Sequence, residues 1–206
     1  VRQILKSIKA VIFDIGRVIL PINWELVTKE LELTLEQAKS LEEKVVNGEH
    51  YDLYERGKIS TEQFFSQFPK QYDIHHPPEQ LIEAWNKMIL EPFEGIEIIL
   101  QSLRDKVEIY TLSNTSEAHH DHFRGSYDIF DYFHEIHTSF SLGARKPEDQ
   151  IYESLLQAID HNPEQTLFID DLEENLEAAK QQGMNAEKSV NSVETTRAIL
   201  KKYGLM

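Results

Sequence analysis

The sequence contains no cysteine. Disulfides, thiolate nucleophiles and cysteine-ligated metal sites are therefore excluded. A reducing compartment is allowed but not required. The chain also lacks any apolar run approaching the ~18 residues of a membrane span. Its first stretch, VRQILKSIKA, is too broken by charge to read as a secretory signal. The expectation is a soluble cytoplasmic protein with no membrane partner. Positive charge is scarce, since 21 Lys and Arg stand against 36 Asp and Glu, for a net charge of −15. Such a field repels nucleic acid and anionic lipid, so neither is an expected partner. It also repels a phosphorylated metabolite, so a phosphate site here needs a bound cation or a local cluster of donors.

What is present suits one compact core carrying an insertion: 206 residues, 40% of them hydrophobic. Short apolar runs of strand type recur at 10–13 (AVIF), 107–112 (VEIYTL), 135–140 (EIHTSF) and 166–170 (TLFID). Helix-like sequence separates them, with patterns at 95–106, 147–159 and 173–183. This alternation predicts an α/β fold with a parallel sheet and helical crossovers. Pro147 sits near a helix start and Gly183 at a helix end.

The interval between the first two strands is far longer than one crossover needs. It reads as helices, with segments at NWELVTKELEL and PEQLIEAWNKMI. Thr34 and Ser60 are predicted N-caps, followed at the third residue by Gln37 and Gln63. The stretch GEHYDLYERGKIS (48–60) reads as a polar connection. The expected division is an α/β core from 1–19 and 91–206 and a helical insertion from 20–90.

Ligands of open α/β sheets bind beyond the carboxyl ends of the strands. The first strand ends on Asp14 within VIFDIGRVIL. The second delivers Ser113, Asn114 and Thr115, and the fourth Asp170 and Asp171. The third is followed by Arg145 and Lys146. Each is ordinary alone: a strand-end Asp in a turn, SNT as a cap, DD as charge compensation at a helix start. Together, in this order, they fit phosphoryl chemistry. A strand-tip carboxylate can be the nucleophile. Asp14 with Asp170 or Asp171 supplies the oxygen ligands that Mg²⁺ takes. Ser113 and Asn114 offer donors, and Lys146 a point charge for phosphoryl oxygens.

These segments, VIFDIG, TLSNTS, LGARKPEDQIY and FIDDLEENLEAAKQQG, resemble the four ordered motifs of the haloacid dehalogenase-like hydrolases. The helical insertion resembles that superfamily's small helical cap. The likeness runs over nearly the whole chain and points to the branch of sugar-1-phosphate phosphatases and the phosphatase domain of soluble epoxide hydrolases. It implies a Rossmann-like parallel sheet with helices on both faces, an inserted α-helical cap and a Mg²⁺-dependent phosphatase acting on a small phosphorylated substrate such as a sugar phosphate. By position, Asp14 is implied as nucleophile. The Gly16 carbonyl and Asp170 are implied as metal ligands, with Asp171 beside them. Ser113 and Asn114 would hold the phosphate, and Lys146 would bridge phosphate and nucleophile. His50, Glu55 and Arg56 are candidates for substrate contact, although solvated loop charges read alike.

Gly16 departs from the pattern, because many phosphatases of this superfamily carry an aspartate there as general acid and base. Its absence leaves a substrate whose leaving group needs little protonation, an acid from elsewhere, or a protein that binds phosphate esters without efficient turnover. Dehalogenation, which needs neither that acid nor the metal pair, is a weaker alternative. Arg17 reads as a solvated loop residue. In HHDH (119–122), His119 and His122 share a helical face, but two ligands do not make a metal site, and both read as surface histidines. Trp24 and Trp85 read as core of the insertion.

Overall fold

The computed structural model describes residues 7–206. Residues 1–6, part of the stretch weighed as a secretory signal and of the expected core segment 1–19, lie outside the described residues. The described residues open with strand β1 (Ala10–Phe13) and continue into helices α1 (Glu25–Glu30), α2 (Leu35–Val46), α3 (Glu49–Glu55), α4 (Thr61–Tyr72) and α5 (Pro78–Asn86). It then alternates through α6 (Ile96–Arg104), β2 (Glu108–Ser113), α7 (Glu117–Ser126), β3 (Glu135–Thr138), α8 (Ser139–Leu142), α9 (Asp149–Ile159), β4 (Thr166–Asp170), α10 (Glu173–Gln181), β5 (Asn185–Lys188) and α11 (Val193–Lys202).

The five strands form one sheet in the order β3-β2-β1-β4-β5, and every pairing is parallel. Alternation along β1 divides its side chains between two cores, as the twofold period of a strand requires. Ala10 and Ile12 pack with Leu155 of α9 and Leu176 of α10. Val11 and Phe13 join the core containing Leu100 of α6 and Leu200 of α11. This second core runs on without a break into the inserted helices, through Tyr54, Phe64, Phe68 and Trp85. Chain order reverses at β1, which pairs with β2 on one side and β4 on the other. That topology opens a crevice at the carboxyl ends of the middle strands.

Several boundaries differ from the sequence expectation. The third strand stops at Thr138, because Thr138 and Ser141 form a reciprocal capping box that starts α8. Strand β5, with the sequence NAEK, has no apolar run to reveal it and pairs only along the sheet edge. The stretch 48–60 is not simply a polar connection, since its first half is α3. Tyr51 and Tyr54, three residues apart, put two rings on one face of α3, and both meet Phe64. The segment from Trp24 is helical only to Glu30. Thr34 and Ser60 cap α2 and α4 with their glutamines as expected.

Candidate active site

Three strand ends meet at the crevice. Asp14 follows β1, Ser113 closes β2 and Asp170 closes β4, with Asp171 next to it. All four are buried. One carboxylate oxygen each from Asp14, Asp170 and Asp171 lie within 4.8 Å of one another, the sole such grouping of potential metal ligands among the described residues. The Lys146 ammonium enters from the segment after α8. Its Nζ donates to Asp170 Oδ2 at 2.6 Å and lies 2.9 Å from Asp14 Oδ1.

Other groups fix this arrangement. The Lys146 N–H donates to Asn114 Oδ1 at 2.8 Å, and Asn114 Nδ2 donates back to the Lys146 carbonyl at 2.9 Å. The Asn114 side chain therefore holds the lysine segment in place. Asp170 Oδ1 accepts from the Leu172 N–H at 2.8 Å and from Asn175 Nδ2 at 2.9 Å. Sequence reasoning does not single out Asn175. It stands in the first turn of the helix after the DD pair, which is the only local signal it carries.

The charges are strained against burial. Desolvation pushes Asp14 up to about 6 from an ordinary 3.8, with Asp170 adding to the rise and Lys146 opposing it. Burial likewise raises Asp171, reinforced by Asp170. Burial by itself would lower Lys146, but the facing Asp14 and Asp170 carboxylates outweigh it and hold the ammonium above its usual range. Three carboxylates thus crowd around one ammonium. Arg17 adds only a distant partner, its Nη1 3.6 Å from Asp171 Oδ2, with about half of its side chain exposed. Asp14 Oδ1 is buried and has only the shared Lys146 ammonium beside it, and the buried Asn175 Oδ1 has no hydrogen-bond partner. Excess negative charge around one shared ammonium is an environment that a divalent cation fits.

Lys146→Met removes the buried cation from between these carboxylates. Breaking a buried pair from one side typically costs about 3–5 kcal/mol. Urea denaturation at pH 7 should show a loss of that order, shrinking toward pH 4 as Asp14 takes up a proton. An unchanged midpoint at pH 7 would contradict the geometry.

The pocket above these groups has a volume of about 270 Å³. The sheet side supplies Asp14, Ser113, Lys146 and Asp171, with Gly16 and Thr115 beside them. Ile22, Tyr51, Met88, Ile89 and Phe123 line it as well, and sequence reasoning names none of these for the site. They come from separate points of the chain and carry no motif. Ile22 and Ile89 meet in an antiparallel bridge where the inserted helices leave and rejoin the sheet.

His119 also lines the pocket, which corrects its reading as a surface histidine. It is buried, stacks on Trp85 at 5.5 Å and donates from Nε2 to the Trp85 carbonyl at 3.0 Å. Burial pushes its pKa down to about 4. The inserted helices cover this face of α7, which the sequence of α7 alone does not disclose. Trp85 is buried and Trp24 packs edge-on to it at 5.6 Å, as core residues do.

The three residues considered for substrate contact lie elsewhere. His50 stacks on Phe64 at 4.7 Å, within the inserted helices. Glu55 is buried against Arg145, with Glu55 Oε2 2.7 Å from Nε. Arg56 Nη1 donates to Glu148 Oε2 at 2.7 Å. Asp52 accepts from both arginines, at 2.7 Å from Arg56 Nε and 2.8 Å from Arg145 Nη1. These charges tie α3 to the segment carrying Lys146.

A family model described as haloacid dehalogenase-like hydrolase matches residues 11–187. Over 181 residues the chain is 28% identical to a sesquiterpene phosphatase of Aspergillus oryzae, covering 86% of this chain and 88% of that protein. It is 27% identical over 195 residues to a D-ribitol-5-phosphate phosphatase of Bacteroides thetaiotaomicron, covering 91% and 94%. Among solved structures, a haloacid dehalogenase family enzyme of Bacteroides thetaiotaomicron, in complex with magnesium and inorganic phosphate, superposes with a TM-score of 0.83 at 24% identity, covering 93% and 99%. A family hydrolase of Porphyromonas gingivalis gives 0.83 at 23%, covering 96% and 98%. The two structures support the fold alone.

Proposed function

The chain belongs to the haloacid dehalogenase-like hydrolases, and on that footing we propose that it is a Mg²⁺-dependent phosphatase of small phosphate monoesters. The observation that carries this is the group of three buried carboxylates within 4.8 Å, faced by the single ammonium of Lys146. Asp14, Asp170 and Asp171, with the Gly16 carbonyl, would hold the ion. Bound there, Mg²⁺ would neutralise charge on the carboxylates and on the phosphoryl group.

The chain's own groups then have defined tasks. An oxygen of Asp14 attacks phosphorus, the bond from phosphorus to the ester oxygen breaks, and the departing oxygen takes a proton from water. Water then cleaves the aspartyl-phosphate, releasing phosphate and restoring the carboxylate. Lys146 steadies Asp14 and offsets charge on the phosphoryl oxygens. Ser113 and the main chain of Asn114 hold those oxygens, while the Asn114 side chain keeps Lys146 in place. Residues 20–90 act as a cap that closes the site to water. The names of the two relatives differ in the alcohol and agree on phosphate ester cleavage.

A panel of phosphate esters assayed with and without Mg²⁺ tests this. Chelation should abolish turnover and added Mg²⁺ restore it. The ion should also raise the melting temperature by mass action. That shift should grow from pH 5 to pH 7, because Asp14 titrates near 6 and the ion prefers the ionised group. Turnover that is equal in chelator would overturn the proposal. Gly16 favours a second reading, a phosphate-ester binder with weak turnover, and there the same panel would stay near background. Dehalogenation would release halide from 2-haloacids without metal, and it gives the buried carboxylate trio no task.

A further inference from the structure

The proposed activity leaves the alcohol half of the substrate open, and the pocket walls address it. The ionic groups gather where Asp14, Lys146, Asp170 and Asp171 converge. Away from them, Ile22, Met88, Ile89 and Phe123 supply hydrocarbon or ring surface. Two polar tips stand among these walls, and each has already given its proton to a protein acceptor, while Arg17 and Asn175, which also line the pocket, stand beside Asp171 and Asp170 at its ionic end. The Tyr51 hydroxyl donates to Glu55 Oε1 at 2.7 Å. His119 spends its Nε2 proton on the Trp85 carbonyl, and its lowered pKa leaves the ring neutral. At the rim, Leu172 is 44% exposed and lines the same pocket.

A polyol would fare poorly here. Each sugar hydroxyl that loses water without gaining a partner weakens binding by about 5- to 150-fold. Each buried methylene gains about fourfold. A cavity of 270 Å³ equals some nine water volumes at roughly 30 Å³ each, which holds a phosphoryl group and a short alcohol. A longer chain would leave across Leu172.

We propose that the pocket selects phosphate monoesters of apolar alcohols, short prenyl, alkyl or aryl groups, over the sugar phosphates expected from the sequence. The inference rests on the phosphatase reading for its turnover, but not for its binding, and the test separates the two. Calorimetry on the Mg²⁺-loaded protein compares pentylphosphonate and phenylphosphonate, which cannot be hydrolysed, with a hexose 1-phosphonate. The apolar ligands should bind at least about tenfold more tightly. Ile22→Thr and Met88→Gln, which make two walls more polar, should each reduce that preference by about three- to tenfold. Neither variant should change the affinity for inorganic phosphate, which reads the ionic end alone. Equal or tighter binding of the sugar phosphonate overturns the inference, as does a preference indifferent to both variants. If the phosphonates bind in the expected order while no ester in the panel is hydrolysed, the inference stands and the phosphatase reading fails.

Discussion

Asp14→Asn should reduce ester hydrolysis by at least about 10³-fold while the protein stays folded. The amide is nearly isosteric with the carboxylate, so packing at the end of β1 is kept. What is lost is the proposed nucleophile, and removing a nucleophile leaves only the catalysis supplied by binding and charge stabilisation. Saturation kinetics on phenyl phosphate in Mg²⁺ measures this, and a fully active variant would dismiss the covalent route. The same substitution carries a stability signature of opposite sign. The folded-state pKa of Asp14, about 6, lies above its ordinary 3.8, so the native state binds the proton more tightly than the unfolded chain does. The stability this group contributes is complete below about pH 4 and is lost as pH rises through 6. Asparagine carries no such loss. In chelator, the variant should therefore melt higher than wild type at pH 7, and the two should converge toward pH 4. A lower melting temperature at pH 7 would mean that the attraction of Lys146 outweighs the burial of Asp14.

Gly16→Asp should accelerate hydrolysis of alkyl phosphates by about 10²–10⁴-fold, the span typical of general acid–base help. The site can accept a Cβ at this position. A Cβ built at Gly16 meets only Ile22, at 3.5 and 3.9 Å, which is ordinary contact. The φ of Gly16 lies outside the left-handed region, so no backbone strain opposes substitution. Nearby carboxylates would push the new acid's pKa upward, which suits a group that must hold a proton near neutrality. The gain should depend on the leaving group. An alkoxide, whose conjugate acid is about as weak as water, needs the proton. A phenolate, with a pKa of about 10 as in tyrosine, needs it much less. Phenyl phosphate should thus gain less than about tenfold. An equal gain on both esters would show that the introduced carboxyl acts on some step other than leaving-group protonation, and no gain would show that the proton is not what limits turnover.

The legible part of this site is the part that strand ends supply. Asp14, Ser113 and Asp170 can be read because a short apolar run in an α/β pattern fixes where a strand stops, and the strand's last residue or the one after it faces the crevice. The ionic cluster follows from those endpoints once β1 lies between β2 and β4. His119 reads wrongly from sequence because its own helix is amphipathic toward a surface that only the inserted helices cover. Glu55 and Arg56, candidates for substrate contact that read equally as solvated loop charges, instead pair with Arg145 and Glu148 about ninety positions away, partners of which local sequence gives no hint. Strand β5 escapes notice because its burial is partial and its sequence polar.

By itself, then, the sequence determined the acidic character of the chain, its α/β alternation, the inserted helices with their capped starts, and the order of the residues that converge at the crevice. Those features depend on spacing along the chain, which sets which side chains lie on one face and where each strand ends. The tertiary structure decided which walls line the pocket above the carboxylates, that Asn114 braces Lys146, and that His119 is buried and neutral. It also decided that Asp14 shares its lysine with Asp170. Each of these depends on distance and solvent exclusion between segments remote in sequence, and no local pattern encodes either.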